Sequence, residues 1–417
     1  ADGRDDAYDK ELRMMDLYAR HLEFRDTADG LGWRDVQKML GDDEIAIEFI
    51  LAEGLASQTA DYAAVLIRKD WDEPKIVKIA DENEMMSLAL SGSEAYTPDS
   101  GAYSAVWSPV VPFLEGVKRI YFSPDGFLSQ INIESITASD GSLMNEKFDI
   151  IRLSSTGLLC DDSRLEPDGY DSALLFGGLK YDADTTVMTR HRNLYADGGL
   201  SELLRGALPD SLRAGWAYLA GTKAEIQDIA GILNSAGVTT TLLEAEDGTE
   251  TAFKSFSFSE IPIIHIATHG FYLKESDSDH VDPMKRAGLI FAGGQHAWLG
   301  EPLPDNVDDG ILMAEEIAGM NLFGTDLLVL SACQTALGDI ARDGVFGLQR
   351  GFKLAGVNTI VMSLWQVSDG ATSLMMTEFY KNLLAGKSKR ESFRMAQSAV
   401  RDRYEDPFYW AAFIMLD

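Results

Sequence analysis

Two positions in this chain set a reactive side chain at the abrupt end of an apolar run. The segment IPIIHIATHG (261–270) runs into His269-Gly270, and TDLLVLSAC (325–333) runs into Cys333. Both runs have the Ile, Leu and Val content of strands buried on two faces. If the two strands are parallel neighbours, an imidazole and a thiol emerge at one sheet edge. A thiol attacks only as thiolate, and an adjacent imidazole can take its proton. Gly270 admits close approach of a peptide backbone, and its N–H with that of Cys333 would hold an oxyanion. The pattern therefore fits nucleophilic attack by Cys333 with His269 as general base. Singly, each residue has a plainer reading: a buried Cys is usually a small core hydrophobe, and a lone His a satisfied structural one.

Other residues around these runs are weighed in the same way. His265 precedes His269 by four residues, so on a strand both face one side. H-I-A-T-H lacks the Glu of a helical H-E-x-x-H zinc site, and His265 is read as structural, positioning the loop; no metal or cofactor is expected. Cys160 closes SSTGLLC with no histidine motif before it and reads as an inert core thiol. Trp365 and Gln366 follow a predicted strand and are candidates for a pocket wall, although such a Trp is more often core. Trp410, among apolar neighbours, reads as core. Two acidic stretches, 274–286 and 300–310, follow His269 and read either as solvated loops or as a lid over the site.

The elements that must position these residues alternate strand with helix. A helical segment is predicted over 6–40 and a hairpin over 44–51 and 61–69. Strands are predicted at 117–123, 148–155, 171–178, 214–221, 238–244, 261–270, 287–294, 325–333 and 357–365. Helices are predicted at 222–237, with Thr222 and Glu225 as a capping pair, at 247–257, 311–320, 344–355 and 371–385. The polar, Gly-containing stretch 179–206 reads as an exposed connection between two halves, and its TRHR (189–192) as a self-processing site or simply two exposed arginines. Strand–helix alternation implies an α/β fold with a mostly parallel sheet flanked by helices, whose chemistry collects at the carboxyl ends of the strands.

Composition narrows the function classes. The 417 residues carry 46% hydrophobic and 25% charged side chains, enough for a sizeable core. A formal net charge of −31 argues against nucleic-acid binding through phosphates and against docking on anionic membranes. The two cysteines, Cys160 and Cys333, make a disulfide framework unlikely and suggest a cytoplasmic, reducing setting. No run reaches the roughly 18 apolar residues of a membrane span. The start, ADGRDDAYDK, lacks a signal pattern and an initiator Met, which reads as a processed or trimmed form of a longer protein.

HIATHGFY (265–272), LVLSACQTALG (328–338), GVFGLQRGFKLAGVNTIVMSLWQVSD (344–369) and DPFYWAAFIML (406–416) together resemble the CHAT family. These are caspase-like cysteine peptidases, often attached to tetratricopeptide repeats and related to separases. The resemblance implies a caspase-like fold with His269 and Cys333 as a catalytic dyad. It divides the chain into a helical segment (1–40), an inactive supporting subdomain (41–205) and an active subdomain (206–417). In separases a similar tryptophan-containing motif carries an acidic residue that receives an arginine before the cut. Asp369 is its counterpart here, and the plainer alternative is a helix cap at Ser368-Asp369. The implied partners are a protein or peptide substrate and a regulatory sensor or tetratricopeptide-repeat partner. Related bacterial peptidases act in defence against phage, including by cutting gasdermin-like proteins, and that substrate class is an analogy. The competing reading is a catalytically silent scaffold. Acyl transfer ranks last, because no G-x-S-x-G elbow surrounds the nucleophile.

Overall fold

The computed structural model describes residues 31–52, 60–161, 169–195, 215–273, 283–305, 307–333 and 344–417. Thirteen strands form one sheet: β1 Glu44–Ala52, β2 Asp61–Arg68, β3 Lys75–Asp81, β4 Arg119–Ser123, β5 Asp149–Arg152, β6 Ser172–Leu179, β7 Thr239–Ala245, β8 Ile263–Tyr272, β9 Ala287–Ile290, β10 Ile311–Met313, β11 Leu327–Cys333, β12 Thr359–Ser363 and β13 Phe413–Leu416. Their order is β10-β9-β8-β11-β12-β13-β5-β4-β1-β2-β3, with β6 against β8 and β7 beyond it. Six described helices have nine residues or more: α1 Glu82–Leu90, α2 Thr185–Tyr195, α3 Ala220–Ser235, α4 Gly344–Leu354, α5 Asp369–Leu384 and α6 Lys389–Arg403. The fold is mixed α/β, with a large, mostly parallel sheet and helices on its faces.

The central strands are buried on both faces, as their unbroken apolar runs require. In β8, Ile263 and Ala267 join one core while Ile264 and Ile266 join the other. Alternation with period two sends successive side chains to opposite layers. Helix α3 packs on the first layer through Ile226, Ile229 and Leu233, spaced three and four apart on one face. Its start is pressed against the end of β6. A Cβ at Gly177 would lie 2.6 Å from the Thr222 carbonyl oxygen, so only glycine fits. The Gly178 N–H also donates to the Thr222 hydroxyl at 2.9 Å. These contacts fix where α3 begins and hence where the segment before it lies.

Several predicted elements differ. Residues 215–219, read as a strand, are irregular, and the chain turns into α3 at Ala220. The Ala217 carbonyl points to a side chain and not to a strand neighbour. Thr222 lies inside the first turn, bonding back to the Leu219 carbonyl at 2.8 Å, and does not cap the helix. The 311–320 segment begins as strand β10 before a short helix Ala314–Ala318, because Ile311 and Met313 pair with β9. Within the presumed connection 179–206, residues Thr185–Tyr195 form α2, with Val187, Met188 and His191 buried. TRHR therefore sits in a helix, which a peptidase would have to unwind; residues 196–206 lie outside the described ones. Of the predicted helix 6–40, Trp33–Met39 is helical and residues 1–30 lie outside the described ones.

Candidate active site

Strands β8 and β11 are parallel neighbours in continuous register from Leu327–Ile263 to Cys333–His269. That last pair ends the ladder, so the backbones of His269 and Cys333 stand side by side at the carboxyl edge of the sheet. On its other side β8 continues into an antiparallel pairing with β9. There the Leu273 N–H donates to the Arg286 carbonyl at 2.7 Å. Antiparallel pairs alternate between bonded and non-bonded, which makes Gly270–Leu289 a non-bonded pair. The Gly270 N–H is thus directed away from β9 and toward β11, where the last rung of the parallel ladder sets it against the Cys333 backbone.

The imidazole of His269 is half-buried, and its Nε2 lies 2.7 Å from the Ala217 carbonyl oxygen. A carbonyl only accepts, so in the neutral ring Nε2 carries the hydrogen and Nδ1 is left as the basic nitrogen. Two aromatic rings adjoin it, Tyr181 and Trp216, each with its centroid 4.9 Å from the imidazole. Burial pushes the His269 pKa below its ordinary value of 6.5, and the Ala217 carbonyl opposes that in part. The ring is therefore neutral at neutral pH, the state a general base needs.

Beneath the pair lies a buried polar network. His265 is fully buried; its Nε2–H donates to Glu225 Oε1 at 3.0 Å, and the Tyr380 hydroxyl lies 3.2 Å from Nδ1. The other Glu225 oxygen accepts from the Ser331 hydroxyl at 3.2 Å. One carboxylate on α3 thus ties together β8 and β11, two rungs below Cys333, and the helix whose start follows Ala217. Both ring nitrogens of His265 are taken within this network, so its structural reading has named partners. Removing one member leaves buried groups unpaired. Glu225→Ala is expected to lower stability by about 3 kcal/mol, read as a lower urea midpoint at unchanged slope.

With this geometry in view, the model of the CHAT domain matches residues 100–417, well over half of the chain. The chain belongs to the CHAT domain family. Its members form a cysteine-protease-like class, and this CHAT chain resembles curated relatives over short stretches. Mouse tetratricopeptide repeat protein 28 is 31% identical over 108 residues, 25% of this chain and 4% of that protein. The human protein of the same name is 28% identical over 121 residues, 28% of this chain and 5% of that one. The chain thus spans only a small part of these relatives. Among solved structures, the Arg-specific cysteine proteinase gingipain R aligns with a TM-score of 0.41 at 9% identity, covering 80% of this chain and 74% of its own. A second, described as a protease, aligns at 0.36 with 11% identity, covering 78% and 66%.

The remaining candidates of this CHAT domain fall at different places. Ser368 caps α5, its hydroxyl accepting from the Ala371 N–H, and Asp369 is the first helical residue. The Asp369 carboxylate is exposed and pairs with no cation among the described residues. It rests over the first turn of α3, where a Cβ on Gly221 would collide with it. Trp365 is half-buried: its indole N–H donates to the Phe408 carbonyl at 3.0 Å and its ring lies 5.9 Å from Tyr96. It thereby ties the segment after β12 to Tyr96, far away in the sequence. Gln366 is exposed, and Trp410 is core. Cys160 is half-buried and packs at the edge of a small cluster beside Val36 and Leu40.

The acidic loop at 300–310 departs from the lid reading at its end. Asp308 pairs with Lys254 at 2.9 Å, and Glu250 accepts from the Gly310 N–H at 2.7 Å, pinning this stretch to the short helix Glu250–Lys254. Residues 274–282 of the other acidic stretch lie outside the described ones. Sequence reasoning missed the Ala217 carbonyl, the flanking rings and Glu225. The last left a usable signal, since Glu225 falls on the apolar face of α3 beside Ile226 and Ile229, where an unpaired carboxylate would be costly.

Proposed function

We propose that this CHAT domain is a cysteine endopeptidase in which Cys333 attacks the scissile carbonyl and His269 is the general base. The observation that carries this reading is the terminal register pair of Cys333 with His269, whose Nε2 the Ala217 carbonyl engages, leaving Nδ1 as the basic nitrogen. Nδ1 takes the thiol proton as the sulfur bonds to the carbonyl carbon. The oxyanion is assigned to the N–H groups of Gly270 and Cys333, which a substrate has to take from the last rung of the β8–β11 ladder. The imidazolium then protonates the leaving amine, and His269 activates water to hydrolyse the thioester. Asp369 receives a basic residue before the cut through its exposed carboxylate.

The supporting half, residues 41–205, braces the active half, 206–417; the β13–β5 pairing joins the two ranges, although β6 of the first range pairs with β7 and β8 of the second. The tetratricopeptide-repeat relatives support a regulated setting, in which an upstream sensor or repeat-containing partner controls the peptidase. A cytoplasmic role in antiphage defence, with a gasdermin-like substrate, rests on analogy to related peptidases. Among the described residues no helix is long and apolar enough to cross a membrane.

The testing experiment is cleavage of a mixed peptide library by the wild-type chain beside Cys333→Ala, mapped by mass spectrometry. Cuts that vanish in the variant support the peptidase. Absence of cuts from both, with and without repeat-containing partners, favours the silent scaffold. The pH dependence adds a signature. Since burial lowers the His269 pKa, the acid limb of kcat/KM is expected below pH 6.5, with activity lost as the falling pH protonates the base. A limb well above pH 6.5 in a pH–rate profile would contradict this.

A further inference from the structure

His269 has to carry a positive charge each time the thiol gives up its proton, in a pocket where burial already disfavours that charge. Many nucleophile–base pairs meet this with a third group, a carboxylate that holds the imidazolium. The described surroundings of His269 contain none. Of the nearby acids, Glu225 is committed to His265 and Ser331, and Asp369 lies over Gly221. The Ala217 carbonyl is the polar partner of the ring.

We propose that the ring faces of Trp216 and Tyr181 stabilise the protonated imidazole of His269, a part that a carboxylate plays in many nucleophile–base pairs. This rests on the reading of His269 as general base. Both centroids lie 4.9 Å from the imidazole, with interplanar angles of 40° for Trp216 and 49° for Tyr181. That is inside the roughly 6 Å over which a cation is drawn to an aromatic ring.

Each ring has partners besides the imidazole, and the Tyr181 hydroxyl also meets the His269 backbone N–H. The Trp216 ring meets Trp298 edge-on at 4.8 Å, and its backbone N–H donates to Gln295 Oε1 at 3.0 Å. The Tyr181 side chain is buried, and its hydroxyl lies 3.1 Å from the Thr268 hydroxyl, which donates to the Ile290 carbonyl at 2.5 Å. The rings are therefore in place before a proton arrives, so the charge is met without rearrangement.

The groups around His269 are few. β11 offers Cys333, β9 offers the uncharged Ile290, and the segment before α3 offers Trp216, Ala217 and the exposed Tyr218. Burial pushes the Tyr181 phenol up to about 12, so it stays uncharged through the working range. Among the described residues, imidazolium stabilisation therefore falls to the π faces and the Ala217 carbonyl.

The experiment is a 13C titration of the histidine ring carbons in the full chain carrying Cys333→Ala, with the His269 signal assigned by its loss in His269→Gln. Trp216→Phe and Tyr181→Phe keep a ring face; Trp216→Leu and Tyr181→Leu remove it. Each Leu variant is expected to titrate about half a pH unit below its Phe counterpart. Rings that merely shield His269 from water would give the opposite sign, because their removal would lessen the desolvation. Equal or raised values in the Leu variants overturn the proposal. Uniform labelling with fluorinated tryptophans, which drain the ring face without changing its shape, is a second measurement independent of folding damage. A stepwise fall of the His269 pKa with fluorine number supports the proposal, and no change overturns it. Because the titration uses no substrate, a failure to cut peptides would sink the proposed function while leaving this result to be judged by itself.

Discussion

Replacing Cys333 with Ala is expected to lower peptide cleavage by about 10³–10⁶-fold, the range seen when a covalent nucleophile is removed. Ala keeps the strand, since Cys333 is the last residue of β11 and its neighbour pairing is made by the backbone. His269→Gln is expected to cost a similar factor, because the two residues act as one unit. Gln can still donate to the Ala217 carbonyl but cannot take a proton. The double variant should be hardly slower than either single one. Cleavage rates of the three variants against one peptide check this. Losses that multiply would mean that the residues act separately.

The second large effect concerns selectivity. Asp369→Ala is expected to reduce the preference for arginine over leucine before the cut by about 10²-fold, with arginine substrates losing rate and leucine substrates little changed. The carboxylate is exposed, lacks a cation among the described residues, and follows the β12 strand beside β11. Its removal costs the fold little, because Ser368 provides the cap of α5. A peptide series varied at that one position gives the ratio. An unchanged ratio would remove Asp369 from the pocket and leave it a helix-start residue.

Much of the sheet around β8 is legible in the sequence, because β8, β11 and β12 are long apolar runs with no competing interpretation. The juxtaposition of His269 and Cys333 is legible for the same reason: each residue ends such a run, and parallel neighbours share an edge. What joins the runs is less legible. Nothing local says that β6 lies beside β8, or that the C-terminal β13 sits between β12 and β5 to complete one sheet. Those pairings come from packing of distant segments.

Local errors have local causes. GWAYL at 215–219 has a strand-like alternation, yet its backbone serves His269 instead of a ladder. The stretch around His191 is polar enough to read as a loop, but Val187, Met188 and His191 lie on one face, spaced three and four apart, and bury together. Glu225 reads locally as half of a capping pair or as a carboxylate on an apolar helix face, and neither names what it binds. Its partner His265 lies 40 residues further along the chain, and no local pattern announces such a pair.

The most direct test of the central claim is the rate at which a peptidyl electrophile labels Cys333, measured by mass spectrometry in wild type and His269→Gln. If His269 activates the thiol, the adduct forms on Cys333 and its formation slows by about 10²-fold or more in the variant. Equal rates in the two proteins, or label on Cys160 in preference to Cys333, would contradict the dyad.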